Sequence, residues 1–217
     1  MHPPPDPVIA DILTRNEQWA AGLTRFNPDS FHHLAKGQQP KILWLGCSDS
    51  RVPESVITAS VPGDIFVHRN IGNQFSADDP SAASAVQFAV QVLQVSHVFL
   101  VGHTHCGGVA AALEAASGHK PLNGALGAWL AHLTHLARKH NESTKIAEVN
   151  VVSAMDRLRQ YINSLGAGAG DGPNPSPEAT HLVTVVGMIF DLETGRLRRI
   201  GHRDAHAVSA EPEAEEK

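Results

Sequence analysis

The chain has 217 residues, of which 42% are hydrophobic and 18% charged, a composition that is typical of a globular protein and excludes a disordered chain. Its 17 basic and 22 acidic residues give a formal net charge of −5, which argues against a nucleic-acid partner because such a partner needs a basic face. No segment reaches the ~18 consecutive apolar residues of a membrane helix, and the first residues lack the features of a signal peptide, so we expect a cytoplasmic protein with no membrane partner.

The first part of the chain, residues 1–37, is predicted to form a helical arm. Residues 6–7 are an Asp-Pro pair that starts a helix, because the aspartate caps free backbone amides and the proline fits the first helical position. Apolar residues then follow at helical spacing, and an Asn-Pro pair at residues 27–28 repeats the signal for a short helix that stops at Gly37.

Residues 38–203 are predicted to form one α/β domain, and residues 204–217 an acidic, disordered tail. Short apolar runs predict strands over Lys41–Gly46, Asp64–Arg69, His97–Val101, Leu182–Phe190 and Arg196–Ile200. Helical spacing predicts a helix from Pro80, one that ends at Ala116, one from Leu122 to Leu136 and one over Ile146–Ile162, with a loop over Gly166–Pro177. This alternation predicts a mainly parallel central sheet flanked by helices, with functional residues where strands end.

The two cysteines of the chain, Cys47 and Cys106, both follow predicted strands. If these strands are neighbours, the two thiolates and a histidine converge, and a Cys₂His set is suited to zinc. We favour His103 over His105 as the third ligand, because a tight turn can direct His103 and Cys106 to one point, whereas adjacent side chains tend to point apart. The alternative for His105 is a loop residue that faces solvent.

A carboxylate and a guanidinium follow Cys47 closely. Asp49 and Arg51 are two residues apart and share a face in an extended segment, and an arginine fork keeps a carboxylate ionised. Such a carboxylate would either bind zinc or accept a proton from zinc-bound water. The alternative is an ordinary structural ion pair.

The stretch Cys47-Ser-Asp-Ser-Arg51, taken together with His103-x-x-Cys106, resembles the β-class carbonic anhydrases. Further matching stretches are Trp44-Leu-Gly, Pro62-Gly63, residues 66–70 (FVHRN) and Gly107-Gly108-Val109. The similarity in pattern covers about residues 8–200.

The resemblance implies a carbonate dehydratase, a lyase that hydrates carbon dioxide reversibly to bicarbonate and a proton through zinc-bound hydroxide. It implies one Zn²⁺ per subunit, bound by Cys47, His103 and Cys106 in a zinc-binding catalytic domain. It also implies that Asp49 forms a dyad with Arg51 in an open form and is the fourth zinc ligand in a closed form.

Two further sites depend on the resemblance. Gly107 and Gly108 open a predicted helix, so their free amides would bind bicarbonate oxygens, or the two glycines merely permit a tight turn. Some members have a second, inhibitory bicarbonate site, for which Trp44 and Arg69 stand at two of three positions. Phe190 takes the place of a tyrosine there, which weakens the case, and core packing is the alternative for Trp44.

The family also implies a homodimer, or a tetramer formed as a dimer of dimers, with carbon dioxide and bicarbonate as small-molecule substrates. The helical arm would pack on the partner subunit through Trp19 and Leu23, or else on its own subunit.

Four other interpretations are consistent with these residues. The same fold and zinc site would serve a carbon disulfide or carbonyl sulfide hydrolase, since the cleft shape decides, or a non-catalytic bicarbonate-binding zinc protein with a closed site. A hydrolase with Cys106 as nucleophile would leave Cys47 and the Asp49–Arg51 pair without a role. A Cys47–Cys106 disulfide would predict that no zinc binds.

Overall fold

The computed structural model describes residues 6–169 and 182–201. The chain divides into two compact units, Met1–Gln38 and Gln39–Lys217. No helix in the described ranges combines the length and the apolar character that a membrane crossing needs. The tail predicted over residues 204–217 lies outside the described residues, as does most of the predicted loop over Gly166–Pro177.

The first unit contains two helices, α1 (Pro7–Phe26) and α2 (Ser30–Leu34), as the Asp-Pro and Asn-Pro pairs predict. Oδ1 of Asp6 accepts a hydrogen bond of 2.8 Å from the backbone amide two residues on, which is the expected cap. The rings of Trp19 and Phe31 meet edge to face at 5.8 Å and join the two helices. None of the residues of α1 is buried, so its apolar side chains leave much surface uncovered.

The second unit is built on one sheet. Its strands are β1 (Ile42–Cys47), β2 (Ile65–Asn70), β3 (His97–His103), β4 (Gly168–Ala169), β5 (Leu182–Asp191) and β6 (Arg196–Ile200). The strand order is β2-β1-β3-β5-β4, all parallel, and β6 runs antiparallel along β5. The predicted α/β fold with a mainly parallel sheet is confirmed.

The helices of the second unit flank this sheet. They are α3 (Glu54–Ile57), α4 (Pro80–Gln87), which continues as a π-helical turn over Phe88–Val92, α5 (Gly107–Ala116), α6 (Gly124–Trp129), α7 (Ala131–Ala137) and α8 (Ser143–Ser164). The prediction of a single helix from Leu122 to Leu136 is wrong. The segment forms two short helices that meet at Leu130, and the backbone of this residue, with φ −86° and ψ 6°, lies outside the helical region. Residues 168–169, predicted to be loop, pair with β5 as strand β4.

The core lies on both faces of the central strands β1, β3 and β5, which explains their nearly continuous apolar runs. Helix α8 packs closely on β3 because Gly102 has no side chain: a Cβ there would lie 2.9 Å from Cγ2 of Val151. This close approach brings the buried face of α8 next to the carboxyl ends of the strands, where the predicted site residues lie.

Candidate metal centre

The three predicted ligands converge at the carboxyl ends of β1 and β3. The ligand atoms of Cys47, His103 and Cys106 all lie within 4.8 Å of one another, and the three residues are buried. The two sulfurs are 3.9 Å apart, close to the roughly 3.8 Å that two thiolates on one tetrahedral zinc would have. Both cysteines are free thiols in this structure.

The imidazole of His103 is oriented as a metal ligand would be. Its side chain is 1% exposed, and Nδ1 lies 2.9 Å from the backbone oxygen of Thr104, which fixes the ring. The buried Nε2 has no hydrogen-bond partner among the described residues and faces the cluster. A buried nitrogen without a partner is costly, so this donor set fits a zinc ion.

His105, the competing histidine, lies outside the cluster. Its Nε2 contacts Oε1 of Glu193 at 3.0 Å, and its side chain is 59% exposed. The residue has a φ of 55°, a left-handed conformation that turns its side chain away from those of its neighbours. The preference for His103 over His105 therefore agrees with the geometry, and Glu193 is a neighbour that the sequence did not indicate.

Asp49 and Arg51 form a bidentate ion pair, with Nε to Oδ1 at 3.0 Å and Nη2 to Oδ2 at 2.7 Å. The reason given from the sequence is wrong, because the segment is not extended: the Arg51 amide donates to Oδ1 at 2.9 Å and closes a tight turn. The guanidinium holds the pKa of Asp49 well below its usual range. Oδ2 lies 3.9 Å from Nε2 of His103, so an ionised carboxylate adjoins the three ligands.

Arginine side chains also hold the loop after β1 in place. Arg51 Nη2 donates to the backbone oxygen of His105 at 3.0 Å, which ties this loop to the turn before α5. Arg69 donates to the backbone oxygens of Cys47 and Asp49, and its Nη1 lies 3.7 Å from Oε2 of Glu54. Glu54 begins the short helix α3, which has no periodic pattern long enough to predict from the sequence.

Of the residues considered for a second bicarbonate site, two are buried in the sheet and one is bonded to the loop after β1. Trp44 is 2% exposed in β1, with its ring 6.5 Å from that of Phe99, so it packs in the core. Arg69 is engaged with the loop after β1, and Phe190 is buried in β5. The assignment of Trp44 and Arg69 to bicarbonate stays a prediction.

The two thiols have pKa values shifted in opposite directions. The pKa of the Cys47 thiol is lowered, because Cys106 donates to its sulfur and the amides of Asp49 and Gly72 also stabilise the thiolate. The pKa of Cys106 is raised, because Cys47 accepts its proton and burial disfavours a second charge, although the amides of Gly108 and Val109 oppose this. A bound cation reverses that balance and favours both thiolates.

Two glycines predicted to bind substrate open helix α5, as expected. Gly107 is exposed and Gly108 is buried. The sequence analysis did not single out Gly72, which lies two residues after β2, the strand that pairs with β1 as far as Cys47. Its φ of 75° favours a glycine at this position.

Comparison with known proteins identifies the class to which this fold and this site belong. The family model described as carbonic anhydrase matches residues 42–197. The chain is 32% identical over 205 residues to a carbonic anhydrase of Candida albicans, covering 88% of this chain and 68% of the relative. It is 33% identical over 199 residues to a carbonic anhydrase of Emericella nidulans, covering 86% and 81%.

Solved structures agree with the sequence relatives. A tetrameric β-carbonic anhydrase of Sordaria macrospora superposes with a TM-score of 0.76 at 33% identity, covering 90% of this chain and 98% of that one. A β-carbonic anhydrase of Aspergillus fumigatus gives a TM-score of 0.76 at 37% identity, covering 94% and 93%. The chain belongs to the carbonic anhydrase family, in its β class. The predicted family and the predicted enzyme class, carbonate dehydratase, are confirmed.

Proposed function

We propose that this chain catalyses the reversible hydration of carbon dioxide to bicarbonate and a proton at one zinc ion held by Cys47, His103 and Cys106. The convergence of these three buried ligand atoms within 4.8 Å of one another is the observation that carries the proposal. Three protein ligands leave one position of a tetrahedral zinc free, which is the pattern of a catalytic rather than a structural zinc site.

Zinc, when bound, lowers the pKa of a water molecule that it coordinates from 15.7 toward ~7, so that a hydroxide nucleophile is available near neutral pH. The protein contributes the donor set and its charge. Two thiolates give the metal more electron density than imidazoles do, which sets the pH at which the nucleophile forms. Burial of all three ligands keeps bulk water away from the metal.

Asp49 is the hydrogen-bond acceptor that orients the nucleophile in this proposal. Its carboxylate is kept ionised by Arg51, and Oδ2 lies on the side of His103 Nε2. Both carboxylate oxygens are engaged by the guanidinium, which supports the open arrangement over one in which Asp49 takes the fourth metal position. The exposed amide of Gly107, at the positive end of α5, would bind a bicarbonate oxygen. Gly108 would contribute more weakly, because this residue is buried.

We further propose that the enzyme works as a homo-oligomer in which the helical arm packs on a partner subunit. Exposed apolar side chains on α1 support this, because such a stripe is normally covered. The relative from Sordaria macrospora is tetrameric. A dimer would cover the apolar side chains of α1, and a tetramer built from two dimers would also match the assembly of that relative.

The test is stopped-flow hydration of carbon dioxide across pH, with zinc measured on the same sample. We expect one zinc per chain, loss of activity when a strong chelator removes it, and recovery when zinc is restored. A β-carbonic anhydrase of Coccomyxa has been crystallised with acetazolamide, so this compound is expected to inhibit the reaction. A metal-free chain with full activity would contradict the proposal, as would a zinc-loaded chain that turns over only carbonyl sulfide or carbon disulfide.

A further inference from the structure

Thr104, the residue that follows His103, is bound to the turn between β5 and β6. Its backbone amide donates to the backbone oxygen of Phe190 at 3.0 Å, next to the last register pair of β3 and β5. Its hydroxyl oxygen accepts a hydrogen bond of 2.9 Å from the backbone amide of Leu192 and donates to Oδ1 of Asp191 at 3.5 Å. Both the backbone and the side chain of Thr104 are therefore anchored to this turn.

The turn between β5 and β6 is itself well fixed. Asp191 ends β5, and its Oδ1 accepts from the backbone amide of Glu193 at 2.9 Å. Its Oδ2 accepts from the hydroxyl of Thr194 at 3.0 Å, and its backbone oxygen accepts from the amide of Gly195 at 2.8 Å. Since strands β5 and β6 are paired on either side, the turn is a rigid support for Thr104.

The backbone oxygen of Thr104 determines which nitrogen of His103 is available to a metal. Nδ1 of His103 lies 2.9 Å from this oxygen. A carbonyl oxygen only accepts hydrogen bonds, so Nδ1 must carry the proton of the neutral ring, and Nε2 is left with a free lone pair. Nε2 is the buried nitrogen without a hydrogen-bond partner among the described residues, and it is the atom that faces the two sulfurs.

The chain next to Thr104 does not fix the direction of this oxygen unaided. The oxygen belongs to the peptide that joins Thr104 to His105, and His105 has a φ of 55°. A residue other than glycine keeps such a conformation only where surrounding contacts hold it. Arg51 donates to the oxygen of His105 at 3.0 Å on one side of the peptide, and the Thr104 hydroxyl is bound on the other side. The exposed contact of His105 with Glu193 contributes little.

We propose that Thr104 is a positioning residue of the metal centre: its hydroxyl, bound to the turn between β5 and β6, fixes the peptide whose oxygen accepts the Nδ1 proton of His103. The inference rests on the proposed role of His103 as a zinc ligand. The ring is then held in the required tautomer and direction before the metal binds. Loss of an outer partner of a ligating histidine typically weakens metal binding about 10–100-fold, and an indirect contact belongs at the lower end of that range.

The experiment compares Thr104→Val, Thr104→Ser and a matched control, Thr194→Val, in the full chain. Valine has the shape of threonine without its hydroxyl, whereas serine keeps the hydroxyl. Thr194 also bonds within the same turn, but to Asp191 rather than to Thr104. The zinc dissociation constant is measured by competition with a chromophoric chelator. In the zinc-loaded chain, NMR of the imidazole groups identifies the protonated nitrogen of His103 and measures the hydrogen exchange of its proton. Thermal unfolding reports on the fold.

We expect Thr104→Val to weaken zinc binding about 10-fold and to speed the exchange of the Nδ1 proton of His103, because its acceptor is less well fixed. Thr104→Ser should restore both readouts to near the wild-type values. Thr194→Val should leave both unchanged even if it unfolds at a lower temperature. Should Thr104→Val fail to fold, Thr104→Ala takes its place, since it also removes the hydroxyl.

Wild-type zinc affinity and wild-type exchange in the variants without the Thr104 hydroxyl would overturn the inference and leave the proposed function intact. Equal losses in Thr104→Ser would also overturn it, since the hydroxyl would then not be the cause, and equal losses in Thr194→Val would show that turn stability explains the effect. The wild-type chain gives a check without any variant, because zinc bound through Nδ1 of His103 contradicts the inference. A wild-type chain that binds no zinc would overturn the proposed function, and this inference with it.

Discussion

The carboxylate of Asp49 has its charge and its direction set by one neighbour. Arg51 takes both of its oxygens and depresses its pKa. Because the folded pKa lies below the unfolded value, the resulting stabilisation is present above the unfolded pKa of ~3.9 and is lost as the pH falls through the lower folded value. Above about pH 5, therefore, a change in activity with pH does not report on Asp49.

Replacing Asp49 with asparagine keeps the size of the side chain and removes the negative charge of the hydrogen-bond acceptor. We expect Asp49→Asn to retain one zinc per chain and to lose about 10²-fold or more in kcat for carbon dioxide hydration. Glu193→Gln is the control, because it removes another carboxylate at the same edge of the sheet. Near wild-type turnover in Asp49→Asn, by stopped flow on zinc-assayed protein, would refute the assigned role.

Replacing Arg51 should have a different effect from replacing Asp49, because the Arg51 guanidinium competes with the metal for the Asp49 carboxylate. Without its guanidinium, Asp49 is free to take the fourth position on zinc. We expect Arg51→Leu to bind zinc as tightly as the wild type or more tightly, and yet to lose most activity at neutral pH. A crystal structure of the zinc-loaded variant would show a carboxylate oxygen of Asp49 in the solvent position, and a variant that keeps its activity would contradict the proposed open arrangement.

The thiols give a direct measure of metal occupancy, since Cys47 and Cys106 are the only cysteines of the chain. Removing zinc with a chelator should expose two thiols per chain to a chromogenic disulfide reagent, and zinc should protect both. Cys106→Ala should lose both zinc and activity, because two protein ligands do not hold the ion. Two thiols that react equally fast with and without zinc would show that they do not ligate it.

At the scale of elements, the sequence predicted those strands and helix starts whose formation depends on a few neighbouring residues. Apolar runs identified β1, β3 and β5, and the Asp-Pro pair at residues 6–7 identified the start of α1, since capping and burial act over a few residues. The approach of Cys47 to His103 followed from the rule that parallel strands end at one edge of the sheet. The two-residue strand β4 and the short helix α3 carry too few residues for any periodicity.

Contacts set by packing could not be predicted in this way. Asn150 meets Gly72 across 78 residues of chain, and Trp129 meets Ile71 across 58. Nothing in the sequence near Asn150 distinguishes it from an ordinary polar residue of a helix. The Asp49–Arg51 pair was predicted correctly for an incorrect reason, since a tight turn rather than an extended strand brings the two together.

The close packing of α8 on the sheet leads to a prediction about the free energy of unfolding. A Cβ at residue 102 would lie 2.9 Å from Val151 and 3.0 Å from Ile189. We expect Gly102→Ala to destabilise the fold by about 1–3 kcal/mol, since overpacking must displace α8. Gly22→Ala in α1, where a Cβ meets nothing within 4 Å, is the control and should be neutral or slightly stabilising. Urea denaturation monitored by circular dichroism measures both, and equal stabilities would contradict the tight contact.

At the scale of the whole molecule, the helical arm is the feature that a single chain does not explain. Its longest helix exposes a row of large apolar side chains at helical spacing, namely Val8, Ile9, Ile12, Leu13, Trp19 and Phe26. Helices of this kind are stable in water mainly when their apolar face is covered. A partner subunit that covers the face would make the arm an assembly element rather than a part of the catalytic unit.

A charge placed on the apolar face of α1 tests whether this face contacts a partner subunit, because it should weaken assembly without disrupting the helix. We expect Ile12→Glu, at a position 52% exposed in the chain, to shift the protein toward smaller species in sedimentation velocity without changing its helix content. Gln18→Glu adds the same charge at another exposed position of α1 and should leave the assembly unchanged. If zinc content stays at one per chain while activity falls with assembly, the partner completes the substrate cleft. An Ile12→Glu protein that sediments as the wild type does would show that the arm is not the contact between subunits.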